Sequence, residues 1–262
     1  MLLSLKNLAK LIREETKSKS IQDQFLYDLT KTIELQNKQE VRVPSQKFKP
    51  SSMGGCKRRI YFEIIGAEMD KGNSAGHQLI GMGESGTDRH ERIQGYVMKM
   101  REHGLDCDWI SVEEWIKLRK PAGTTIVERK GNEFKCHNSI FNISFMCDGI
   151  IKYKGIYYIL EIKTEASFKF SGRVEIYPDH IVQGTCYSAC LGIDKVIFIY
   201  ENRDMLSKKA FLLNVTPEMI EDYVVSTVEH VNQCVSDKSV PEKTDNLNLC
   251  SRCSYTEACA LC

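Results

Sequence analysis

The stretch from Ile140 to Lys163 constrains this chain more than any other. An apolar-rich run, Ile140-Phe-Asn-Ile-Ser-Phe-Met-Cys147, is closed by Asp148, and after a turn at Gly155 a second run, Ile156-Tyr-Tyr-Ile-Leu160, ends in Glu161-Ile162-Lys163. Two such runs joined by a glycine turn read as neighbouring strands of a largely buried sheet. Side chains alternate along a strand, so Glu161 and Lys163 point one way while Leu160 and Ile162 pack on the other. On a solvated hairpin an Asp followed by Glu-x-Lys is ordinary surface charge. At the end of a buried strand, charges are costly unless paired or bound. Two carboxylates and an amine brought together suit phosphodiester hydrolysis. The acids can hold a hard divalent cation that polarises phosphate and helps ionise water, and the lysine adds positive charge beside the nucleophile or the developing oxyanion.

Three other patterns carry chemistry. Asp179 to Gly192 has helical spacing, and Gln183 and Tyr187, four apart, share one face of that helix. His90 lies in Gly86-Thr-Asp-Arg-His90, inside an amphipathic helical stretch; a lone histidine there is ordinarily structural or solvent-facing. The chain has 11 cysteines, four of them in its last thirteen residues as Cys250-x2-Cys253-x5-Cys259-x2-Cys262. Nothing at the N-terminus reads as a secretory signal, so metal ligation explains this density better than disulfides. A tetrahedral zinc site made by the four tail cysteines satisfies the spacing. The remaining cysteines are scattered and read as small packed side chains.

In this order the motifs resemble the PD-(D/E)XK nucleases. Asp148-Gly149 with Glu161-Ile162-Lys163 is similar to their core, and Gln183-x3-Tyr187 and Gly86-x3-His90 resemble elements of the RecB-like branch, which includes Cas4-like nucleases and the AddB nuclease domain. Cys56, in Gly54-Gly-Cys56-Lys-Arg-Arg59, resembles the lone N-terminal cysteine of Cas4-like proteins. The resemblance spans roughly Ser51 to Cys259 and implies a divalent-metal-dependent DNA exonuclease. Asp148, Glu161 and Lys163 would act at the reaction centre, supported by Gln183 and Tyr187. Mn2+ or Mg2+ would be held by His90, Asp148, Glu161 and the Ile162 backbone carbonyl. A [4Fe-4S] cluster would sit on Cys56, Cys250, Cys253 and Cys259, with Cys262 surplus to the pattern. Glu128 is a candidate third carboxylate, as first-strand acids are in relatives. Lys57, Arg58 and Arg59 are candidates for phosphate contact. The partners implied are DNA, as ends or single strands, and recombination or CRISPR-adaptation proteins; a homo-oligomer is compatible.

The fold expected is α/β, a central mixed β-sheet flanked by helices (restriction-endonuclease-like), with an N-terminal helical extension and connector over residues 1–50 and the nuclease domain over 51–262. The composition is that of a soluble globular protein, 42% hydrophobic and 27% charged. A formal net charge of +1 decides nothing about nucleic acid, because the local field matters. Lys6 and Lys10 interrupt the apolar face of Met1–Ile12, which reads as an amphipathic helix; no membrane association and a cytoplasmic location are expected. Two readings from other classes stand beside the nuclease: a non-catalytic DNA-binding clamp and a zinc-bearing interaction module.

Overall fold

The structure, a computed structural model, describes residues 20–36, 43–70 and 77–262. The expected helix over residues 1–12 lies outside them. The chain divides into a small unit, residues 1–41 with 73–84, and a larger one, residues 42–72 with 85–262. In the small unit, helix α1 (Ile21–Gln36) exposes Phe25, Leu26 and Leu29. Its Glu34 pairs with His77 at 3.8 Å.

The larger unit is built on a mixed five-stranded sheet flanked by helices. Its order is β1 (Cys107–Ile110), β5 (Gly149–Tyr153), β6 (Ile156–Glu165), β7 (Lys195–Asn202), β8 (Lys208–Asn214), in which only β6 and β7 run parallel. A smaller antiparallel sheet contains β2 (Thr124–Lys130), β3 (Glu133–Asn138) and β4 (Ile143–Phe145). Four helices complete the frame: α2 (Lys57–Ile65), α3 (His77–Met98, whose residues from Ser85 on belong to this unit), α4 (Val112–Arg119) and α5 (Pro178–Leu191), followed by the long helical segment that ends in α6 (Ser226–Ser236). Among the described residues no helix is long and apolar enough to cross a membrane.

Both faces of the large sheet are covered, which explains the near-continuous apolar character of β6. Leu160 and Ile162 pack with Ile93 and Val97 of α3, while α5 makes the crossover between β6 and β7 on the opposite face. Gly184 lets α5 approach closely: a Cβ there would lie 3.0 Å from the Phe198 ring on β7. Helix α5 starts with Pro178 in its first turn and ends at Gly192 in the left-handed conformation.

One expectation is corrected. The run from Ile140 to Cys147 is not a single strand of the large sheet. Ile140 to Asn142 form a turn, with Asn142 at φ 52°, and only Ile143–Phe145 are extended, pairing with β3 in the smaller sheet. Asp148 therefore sits where the chain leaves one sheet and enters the other. Strand β1 and helix α4, with its Ser111–Glu114 capping box, gave no expectation from the sequence.

Candidate metal centre and cysteine cavity

The entry into β5 fixes Asp148. Gly149 follows because Trp109 of β1 crosses the backbone there; a Cβ on residue 149 would lie 2.2 Å from the indole. The Asp148 Oδ2 atom accepts a hydrogen bond from the Ile162 backbone N–H (2.5 Å), so the neighbouring strand aims the carboxylate. Its Oδ1 lies 3.0 Å from Nδ1 of His90, which α3 supplies. One turn along α3, the buried Gln94 donates to the Asp148 carbonyl (2.9 Å) and to Glu133 Oε1 (3.1 Å). Ligand atoms of His90, Glu133 and Asp148 lie within 4.8 Å of one another.

Glu161 is 3% exposed, and its two oxygens have different surroundings. Oε1 accepts from Lys163 Nζ (2.7 Å) and Gln183 Nε2 (2.8 Å). Oε2 is buried and lacks a hydrogen-bond partner. Such an atom needs a proton or a cation to offset its desolvation. Gln183 Oε1 in turn accepts from Lys163 (2.9 Å), and its amide donates to the Tyr187 hydroxyl (2.7 Å), which donates to the Met146 carbonyl (3.0 Å). Gln183 and Tyr187 thus share a face as expected and anchor the Glu161–Lys163 pair. Tyr187 is buried and has no surface to offer DNA.

The electrostatics follow from crowding acids away from water. Burial, with Asp148 adding like charge, pushes the Glu161 carboxyl up to about 8. The same two causes raise Glu133. Burial opposes charge on His90, but its bond to Asp148 together with the negative charges of Asp148, Glu161 and Glu133 outweighs this and holds its pKa above the ordinary value. A divalent cation would relieve this crowding, and one imidazole with several carboxylates is a donor set suited to Mn2+ or Mg2+.

Glu128 is not brought to this group. It lies half-exposed on β2, whose residues from Thr125 onward are all exposed, 3.9 Å from Lys130. Glu133, at the start of the next strand, supplies the additional carboxylate, and sequence reasoning missed it.

A second concentration of donors lies at the joined ends of the larger unit. Cys56, Cys250, Cys253 and Cys259 all line one cavity of about 110 Å³, together with Phe62 and Arg58. Their sulfurs are not drawn within 4.8 Å of one another as the His90 group is. Cys262 does not line the cavity; it is exposed, with Sγ 3.4 Å from the Ala258 carbonyl. Most of the bonds that dock the tail do not use sulfur. Tyr255 donates to Glu63 Oε2 (2.7 Å), the Thr256 N–H and hydroxyl both donate to Asp70, and Arg58 Nε donates to the Pro241 carbonyl (2.6 Å). Arg58 Nη1 also reaches Cys259 Sγ at 3.7 Å. Arg58 is therefore committed to the tail, while Lys57 and Arg59 are exposed at the start of α2.

No family model matches this chain, and no curated protein does. Among solved structures, SSO0001 is similar at 15% identity and a TM-score of 0.46, over 90% of this chain and 96% of that one. LHK-Exo in complex with dAMP is similar at 13% identity and a TM-score of 0.43, over 83% and 95%. The alkaline exonuclease LHK-Exo from Laribacter hongkongensis gives 13% and a TM-score of 0.38 over the same shares.

Proposed function

We propose that this chain is a metal-dependent deoxyribonuclease of the PD-(D/E)XK type, an exonuclease acting on DNA ends or single strands. The single observation that carries the reading is the buried, unpartnered Oε2 of Glu161 beside the Asp148, Glu133 and His90 group, with Lys163 bonded to the other oxygen. Asp148, Glu161, Glu133 and His90, with the Ile162 carbonyl, would hold Mn2+ or Mg2+. When bound, the ion supplies Lewis-acid polarisation of the phosphate and a more acidic water. The protein's own contribution is preorganisation: the Ile162 N–H orients Asp148, and Gln183 with Lys163 fixes Glu161. Lys163 brings a positive charge to the place where an attacking water would lose its proton. A binding-only clamp has no use for this buried acid pair beside a lysine, which disfavours that alternative.

Cys56, Cys250, Cys253 and Cys259 would hold a [4Fe-4S] cluster as in the Cas4-like branch. This is supported by their common cavity, whose lining contains no histidine or carboxylate. Zinc on the four tail cysteines is disfavoured by Cys262, which faces solvent. The test is anaerobic purification, iron and zinc analysis, and incubation with end-labelled DNA in EDTA, Mg2+ or Mn2+. Release of nucleotides that requires the divalent ion and disappears in Glu161→Gln supports the reading. Equal turnover by wild type and folded Glu161→Gln overturns it.

A further inference from the structure

The most deeply buried carboxylate outside the metal centre is Glu201 on β7, at 0% exposure. It faces three cations: Arg92 Nη2 at 2.6 Å, Arg89 Nη1 at 3.2 Å and Lys208 Nζ at 2.9 Å. Arg89 is tied further, donating to Ser85 Oγ and the Arg203 carbonyl. Among these four side chains three positive charges face one negative, and Asp204 and Arg203 beside Arg89 offset each other, which leaves an excess of two. As a staple between α3 and β7 this is a poor device. A buried ion pair adds little over apolar packing, and a third cation adds repulsion. The excess becomes useful if an anion arrives from solvent. Arg92 and Lys208 are placed to meet one, with side chains 33% and 38% exposed.

The location indicates which anion. Arg89 and Arg92 flank His90 in the α3 sequence. Glu201 pairs in register with Thr164 of β6, so it projects on the α3 face of the sheet, opposite the face that carries Glu161 and Lys163. A polynucleotide whose scissile phosphate lay beside His90 and that ran on along α3 would carry further phosphates past this corner. We infer that Arg92 and Lys208, oriented by Glu201 and backed by Arg89, form a subsite for a backbone phosphate other than the one hydrolysed. Glu201 would keep the two cations extended and prepositioned, so the phosphate meets donors already ordered. The ligand class rests on the nuclease reading, but the binding itself does not require cleavage.

The experiment is fluorescence anisotropy of a short labelled single-stranded oligonucleotide in EDTA, over a series of salt concentrations. Arg92→Gln and Lys208→Gln should each weaken binding severalfold and lower the slope of log affinity against log salt by roughly 0.7 to 0.9, the value of one lost phosphate contact. Arg92→Lys should keep most of the slope. Lys208 lies at the start of an edge strand and is partly exposed, so its variant tests the idea even if an arginine variant melts early. Slopes equal to wild type in folded Arg92→Gln and Lys208→Gln would reduce the cluster to a structural staple. Competition by a mononucleotide that is lost in the variants, with oligonucleotide affinity unchanged, would assign the site to free nucleotide and also overturn the inference. Shifted slopes in a protein that cleaves nothing with any divalent ion would sink the nuclease reading alone.

Discussion

The two donor clusters are assembled in opposite ways. At the candidate metal centre, Asp148, Glu161 and Lys163 come from adjacent strands, and each is held by bonds that exist without any ion: Ile162 N–H on Asp148, Gln183 on both Glu161 and Lys163. In the cysteine cavity, Cys56 meets residues about two hundred positions away, and the bonds that bring them together, Tyr255 to Glu63 and Thr256 to Asp70, do not involve the thiols. The first site should keep its shape when empty, because sheet register enforces it. The second should depend on what it binds, because a docked tail of short helices holds little of its own core.

The largest effect expected is on chemistry. Glu161→Ala and Lys163→Ala should each slow cleavage roughly a hundred- to a thousandfold, with melting temperatures near wild type. A large fall in melting temperature would mean that the acid pair holds the fold together and would erase the contrast. Next in size is Cys56→Ser, which should lose iron and lower the melting temperature by about 5–10 °C, as removal of a long-loop crosslink does. Cys262→Ser should change neither, and full metal retention in Cys56→Ser would transfer the site to the tail alone. Glu133→Gln should weaken Mn2+ roughly 10- to 100-fold, read by calorimetry, with iron content unchanged; unaltered Mn2+ affinity would return Glu133 to a structural role.

A pH effect separates the regions further. Burial and Asp148 set the Glu161 carboxyl at about 8 in the folded protein, against 4.5 for an ordinary glutamate. The protonated form favours the fold below 4.5, and that contribution is lost as pH rises through about 8. An ion needs the ionised form. The rise in melting temperature given by Mn2+ should therefore be larger at pH 8 than at pH 6; an equal rise at the two pH values would show that Glu161 is already ionised in the metal-free protein. Smallest is Glu63→Gln. Burial opposes its charge, but bonds from Lys49, Tyr255 and Ser45 hold the carboxyl down at about 2. Its contribution is present above 4.5 and lost as pH falls toward 2. The variant should cost about 1 kcal/mol at neutral pH and speed proteolysis of the tail; unchanged proteolysis would show that the Tyr255–Glu63 bond does not hold it.

The difference in assembly also explains what the sequence disclosed. Period-two alternation makes Glu161 and Lys163 legible as a pair, and period 3.6 does the same for Gln183 and Tyr187. The central sheet follows from the same periodicities in β6, β7 and α5. Glu133 was not legible, because its part depends on β3 turning its first residue toward α3, a relation between two sheets with no local signature. Glu128, one strand earlier, was legible as an acid on a strand, but β2 is exposed from Thr125 onward and does not carry it to the group. The break at Ile140–Asn142 was hidden by apolar residues that resemble strand, although the backbone there turns through a positive φ at Asn142. The cysteines announced themselves by spacing, whereas the bonds that dock their tail, through Glu63, Asp70 and Arg58, look like unremarkable surface charge in the sequence.

The docked tail also sets a timetable for synthesis. The donors of the metal centre and their supports, from His90 to Tyr187, are all translated before Cys250. At typical elongation rates, sixty or so further residues take a few seconds to about a dozen. Late in that interval, once β7 and β8 have been made, a nascent chain can carry the acid–lysine pair on its sheet while the cysteines that share the Cys56 cavity are still inside the ribosome, so that thiol waits uncovered until the last helices emerge.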